Sequence, residues 1–199
     1  MNRTRRSWLI ASVVMAAAVV VSGGVATSSA AVTTPAPAAT AKQAPAPHRL
    51  GELISTGLDA TKISEWVIYG APITGAGITF GFTVAERQND GSTEDYVTVN
   101  EYRGSALAPG FHPAHTAMRY DGDVVQPAFG YYVGRPAKVT GRFGGRTVAA
   151  HTAGWSHDRS VTVFWFDPAD RTEGPMSALT AVDAAGRKLT AGHPEVFES

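Results

Sequence analysis

The 199-residue chain has no cysteine. That one absence excludes disulfides, a thiolate nucleophile, Cys-ligated zinc and a lipid-modified cysteine anchor. Stability must come from a hydrophobic core, which a domain of about 150 residues builds without staples. Lysine is scarce, with four residues, and all charged residues together make up only 17% of the chain. Beyond the first six residues there is no basic cluster. The chain therefore offers no electrostatic footing for nucleic acid, and no polybasic segment to hold it on an anionic membrane. Also missing are a G-x-S-x-G elbow, an H-E-x-x-H motif and any repeat at a fixed period.

What is present begins with "MNRTRRSWLIASVVMAAAVVVSGGVATSSAAV". Arg3, Arg5 and Arg6 form a basic front, an apolar run follows from Trp8 to Val21, and small residues lead to a cleavage site after Ala30 or Ala31. Basic, apolar, small is the layout of a secretory signal peptide, expected over residues 1–31. The alternative is a retained anchor, against which stand an Ala-rich core and the Gly23-Gly24 interruption. Thr4-Arg5-Arg6-Ser7-Trp8-Leu9-Ile10 resembles a twin-arginine export signal, an address for proteins that fold before crossing the membrane. The ordinary unfolded-chain route is the other option. Cleavage removes three arginines and no acid, leaving fourteen basic against seventeen acidic residues and a net charge of −3. The Ala-, Gly-, Pro- and Arg-rich usage resembles secreted proteins of high-GC bacteria.

Residues 32–47, "VTTPAPAATAKQAPAP", hold no large apolar side chain and are expected to be a disordered, Pro-stiffened linker. It reads as a tether or as tolerated low-complexity sequence. Residues 48–199 then read as one domain, without a second linker.

That domain alternates with period two. Ile78, Phe80, Phe82 and Val84 fall on one face of a strand, and Asp95–Tyr102 is its expected partner. Gly144-Gly145, Asp121-Gly122 and Ala184-Ala185-Gly186 mark hairpins. "SVTVFWF", Ser160–Phe166, is apolar on both faces, as in a central strand covered on both sides. Only "HRLGELISTGL" hints at a helix. The expectation is an antiparallel β-sandwich of about nine short strands, immunoglobulin-like in architecture.

Ser156, His157 and Asp158 are the residue types of a hydrolytic triad. Adjacent residues point in diverging directions, however, and a triad draws its members from separate segments. This tetrapeptide, ending at Arg159, reads as a turn. His112 and His115, three apart in Phe-His-Pro-Ala-His, are weak metal-ligand candidates, because Pro113 and Pro109-Gly110 suggest a loop in which spacing no longer fixes direction. Glu86 and Glu101 each end a predicted strand and are the carboxylate pair placed to converge. Asp121-Gly122-Asp123 lacks the further oxygen ligands of a calcium loop.

Aromatics carry the most weight. Tyr131 and Tyr132 are adjacent and are not expected to face inward together, and Tyr96, Tyr102 and Trp155 join them as ligand-binding candidates on an outer face or loop. The expected function is a secreted, non-catalytic binding module for an extracellular protein or a cell-wall glycan, with no cofactor, no catalytic residues and no membrane contact after cleavage. A secreted hydrolase with a dispersed carboxylate/His site is the alternative class, and a structural envelope module the third. Sequencing the N-terminus of protein recovered from the culture medium is expected to begin at Ala31 or Val32. A membrane-held chain still starting at Met1 would show retention instead.

Overall fold

The computed structural model describes residues 48–74, 79–120, 124–170, 172 and 174–198. The expected signal peptide and linker lie outside the described residues. Among the described residues the domain is built from strands, with one 3-10 turn, Pro168–Asp170, and no α-helix. No helix in them is long and apolar enough to cross a membrane.

Four consecutive strands form the first sheet in chain order: β1 (Leu50–Thr61), β2 (Ser64–Pro72), β3 (Phe80–Gln88) and β4 (Thr93–Asn100), all antiparallel. Phe80, Phe82 and Val84 share a buried face as the alternation requires. The segment that hinted at a helix is the edge strand β1. Gly51 and Gly57 have positive φ (82° and 70°), and the register against β2 shifts beside both. Such bulges break the period-two signal that would otherwise mark a strand.

The remaining strands are β5 (Gly110–His115), β6 (Met118–Arg119), β7 (Val125–Gln126), β8 (Ala128–Val133), β9 (Lys138–Phe143), β10 (Arg146–Ala149), β11 (His151–Gly154), β12 (Val161–Phe166), β13 (Met176–Val182) and β14 (Val196–Phe197). A five-stranded sheet runs β11-β12-β8-β5-β14, a three-stranded sheet β10-β9-β13, and β6 pairs with β7. Gly144 and Gly145, both at positive φ (52° and 85°), make the tight β9–β10 hairpin. Of the Asp121-Gly122 turn only the flanking pair, β6 and β7, is described.

Two cores explain the layering. The first lies between the β1–β4 sheet and one face of the five-stranded sheet, joining Trp66, Ile68 and Phe82 to Tyr131, Val163 and Trp165. The second lies on the opposite face, where Phe111, Tyr132, Phe164 and Phe166 meet Val139 and Phe143 of the three-stranded sheet. The five-stranded sheet is therefore the middle of three layers. The all-β antiparallel class matches expectation, but a third layer is added to the two of a sandwich. The inner strands of the middle sheet, β12, β8 and β5, bury both faces, so Tyr131 and Tyr132 point to opposite faces and are both buried. That corrects the expectation that one of them lies outside.

Trp155 is also buried. Its indole donates to Leu50 O at 2.8 Å and packs on Phe80 and Phe82, with ring centroids 4.8 and 5.1 Å away. The ring fits because Gly70 has no side chain: a Cβ there would meet Trp155 Cζ2 at 2.5 Å and Leu50 O at 2.8 Å. Gly70→Ala is expected to destabilise the domain by about 1–3 kcal/mol through overpacking. A calorimetric melting midpoint equal to that of the wild type would contradict this seating of Trp155.

Candidate functional site

The connection from β4 to β5, residues 101–109, folds back over β5 and is closed by one side chain. Glu101 Oε1 accepts the backbone N–H groups of Tyr102 (3.0 Å) and Arg103 (2.8 Å), which caps the turn. Glu101 Oε2 lies 2.9 Å from His112 Nδ1, and Ala108 O lies 2.8 Å from His112 Nε2. Both ring nitrogens are therefore engaged, one by the Glu101 carboxylate and the other by the Ala108 carbonyl. The ring stacks flat on Tyr131, with centroids 4.5 Å apart and planes 4° from parallel. Burial, and then the Glu101 charge, push the Tyr131 hydroxyl well above the ordinary phenol range.

Phe-His-Pro-Ala-His is a strand inside the five-stranded sheet, where a loop was expected. Between the pairs Phe111↔Tyr132 and Ala114↔Gly130, β5 has one extra residue. Pro113 falls inside that bulge, where its missing N–H breaks no ladder bond. The bulge also brings His112 and His115 to one face, over Tyr131 and Phe129 respectively. Each ring is already engaged, His115 through Nδ1 to Thr116 O at 2.8 Å. Among the described residues no three His, Cys, Asp or Glu side chains are grouped to hold a metal ion.

The C-terminal segment supplies the other wall. β14 adds in parallel to β5 through Val196↔Ala114 and Phe197↔His115. Upstream, Phe111 N–H donates to Ala191 O (3.0 Å), His193 N–H to Phe111 O (3.2 Å) and Ala114 N–H to Glu195 O (2.8 Å). The crossing is close: a Cβ on Gly110 would meet Gly192 Cα at 2.5 Å, and one on Gly192 would meet Phe111 O at 2.5 Å. Arg103 reaches across to Glu195 at 2.9 Å. Between the two segments lies a cavity of about 330 Å³, with Phe111, Pro109 and Pro113 as apolar wall and Glu101, Ser105 and His193 as polar wall.

The two segments that flank the cavity are unusual for this surface. Among the described residues four large hydrophobic side chains stand exposed, and three of them belong to these segments, beside the lining residues rather than among them: Tyr102 (42%), Leu107 (46%) and Phe197 (37%). Tyr102 and Phe197 touch, with ring centroids 5.9 Å apart, and the Arg103 guanidinium lies 5.3 Å from the Tyr102 ring centre. No family model, no curated protein and no solved structure matches the chain. The site must be read from its own chemistry.

Of the residues singled out from sequence, the structure brings His112 and Glu101 into the cavity lining and leaves Tyr102 exposed on the flanking segment. Glu86 and Glu101 do not converge. In the antiparallel β3–β4 pair Glu86 faces Glu94 and Gly81 faces Asn100, so the two acids sit at opposite ends of the hairpin. Glu86 instead accepts the Tyr96 hydroxyl at 3.0 Å and Gln88 Nε2 at 2.8 Å. Hydrogen bonds from Ser64, Tyr96 and Gln88 hold its carboxyl below the usual range, while burial and Glu86 push Tyr96 up to about 12. Tyr96 is the extra residue of a bulge between Val97 and Asp95, which turns it over Trp66, half-buried. Ser156, His157 and Asp158 lie in the β11–β12 turn. Ser156 Oγ accepts Glu52 N–H at 2.7 Å and Asp158 accepts Ser160 N–H at 2.8 Å, so neither is directed at His157. Phe197 and His193 went unnoticed in the sequence, because only the parallel pairing of the C-terminal segment brings them here.

The Glu101–His112 pair is nearly solvent-free, with side chains 11% and 4% exposed. Removing one partner leaves the other buried with its hydrogen bond unmade, so Glu101→Gln and His112→Gln are each expected to cost about 1–3 kcal/mol. The double variant should cost less than the sum of the two. Additive losses in a denaturation double-mutant cycle would show that the pair is not coupled.

Proposed function

We propose that the protein is an exported, non-catalytic binding module whose ligand, an extracellular protein or an envelope glycan, seats at the cavity between residues 101–109 and the C-terminal segment. In this reading residues 1–31 direct export and residues 32–47 tether the domain. The two sheets around the first core form an immunoglobulin-like sandwich that carries the site. The observation behind the proposal is exposed apolar surface beside a cavity. Tyr102, Leu107 and Phe197 stand in water on the two segments that supply the lining of one cavity, and such surface marks binding sites.

A secreted hydrolase with a carboxylate/His site is the second reading, favoured by the Glu101–His112 pair in the cavity floor. It has less support, since both ring nitrogens are already engaged and neither is directed at a nucleophile. The full-length chain, probed against a glycan array and against extracellular proteins of its host, is expected to bind saturably. Tyr102→Ala combined with Leu107→Ala should weaken that binding by about tenfold or more. Unchanged binding by this double variant would place the site elsewhere, and turnover of a hydrolase substrate lost in His112→Gln would favour the second reading.

A further inference from the structure

We propose that the cavity recognises an uncharged sugar residue, with its hydroxyls directed at the walls and the exposed Tyr102–Phe197 pair beside it on the flanking segments. This rests on the binding reading above and names its ligand class.

The first ground is charge balance. The ionic groups of the cavity are paired within it: Arg103 with Glu195 at 2.9 Å, and His112 with Glu101 at 2.9 Å. An anion entering here would meet the Glu101 and Glu195 carboxylates, and a cation would meet the Arg103 guanidinium beside carboxylates that already have partners. Neither would gain enough to offset its own desolvation. A neutral ligand escapes that cost.

The second ground is the hydrogen-bonding capacity left over. The imidazole of His193 has no partner among the described residues. The Ser105 hydroxyl oxygen accepts from Leu107 N–H at 3.3 Å, and its proton remains free to donate. Glu195 uses one carboxylate oxygen on Arg103, which leaves the other as an acceptor. Donors and acceptors are thus mixed along one wall. Sugar hydroxyls, each both donor and acceptor, match such a wall, whereas a purely apolar ligand would leave it unsatisfied.

The third ground excludes an extended peptide. Strand addition needs free backbone groups at a sheet edge. The β5 edge beside the cavity is already filled, by bonds from Phe111, Ala114 and Thr116 to Ala191, Glu195 and Phe197. What remains is a small cavity, at the lower end of the roughly 300–1,000 Å³ of small-molecule sites. That suits a single ring better than a polypeptide segment.

The test is calorimetric titration of the full-length chain with two sets of probes. One set is neutral: oligomers of N-acetylglucosamine, glucose and mannose. The other is charged: polygalacturonate and a sulfated glycan. Saturable binding to at least one neutral probe is expected, with weaker or no binding of the charged ones. Tyr102→Ala and His193→Ala should each weaken it by about tenfold while the melting midpoint stays put, since both side chains are exposed. A preference for the charged probes would overturn the sugar proposal, as would neutral binding that neither variant affects. If no sugar binds but Tyr102→Ala abolishes capture of a purified protein partner, the ligand class falls and the binding module stands. If no ligand of either kind responds to Tyr102→Ala, both fall.

Discussion

The five-stranded sheet has to be apolar on both faces, and the rest of the domain is arranged around that requirement. Along β8 and β12 successive side chains enter different cores: Phe129, Tyr131, Val163 and Trp165 the first, Tyr132 and Phe164 the second. In a sheet with one wet face, a slip of one residue would expose the apolar set and is strongly disfavoured. Here a slip would exchange one apolar face for another, so hydrophobicity alone does not fix register. Shape does. Gly130 stands opposite Phe164, and a Cβ there would lie 2.8 Å from Phe164 Cζ and 2.7 Å from Ala114 Cβ. That glycine lets β5, β8 and β12 pack closely in one alignment and hinders the next.

The same requirement decides what was legible in the sequence. Phe80, Phe82 and Val84 alternate cleanly because β3 shows its inner face to the largest apolar layer. Gly144-Gly145 is a local signal that needs no tertiary context. "SVTVFWF" announced a strand covered twice, which is how β12 sits. Applied to its neighbour, that observation would have placed Tyr131 and Tyr132 correctly. Assuming one wet face per strand put one of them outside. The bulges were the other obstacle. Gly51 and Gly57 in β1, Tyr96 in β4 and Pro113 in β5 each shift the phase of a strand, and phase is what a period-two reading depends on.

The cavity was legible only in fragments, for a topological reason. Tyr102 and His112 belong to one local connection, and both stood out as residue types. Their meaning depends on residues 190–198, which return from the far end of the chain and pair in parallel with β5. Parallel pairing leaves no hairpin signature, so nothing near Phe111 announces Ala191. The only trace is glycine: Gly110 (φ 118°) and Gly192 (φ 67°) lie where the two backbones cross, and neither tolerates a Cβ.

That crossing also settles where the polarity of the site resides. Glu101 and His112 are consumed in closing the β4–β5 connection, with every nitrogen of the ring on an acceptor. They make a rigid floor without offering it to a ligand. Groups still able to form new bonds, His193 and Glu195, ride on the C-terminal segment, and the exposed apolar surface beside the cavity divides between Tyr102 and Leu107 on one segment and Phe197 on the other. Floor and walls thus come from opposite ends of the β5 connection, joined by the Arg103–Glu195 ion pair and by the backbone bonds along β5. Anything bound there would contact both segments at once, and its affinity would depend on how firmly the C-terminal segment stays seated.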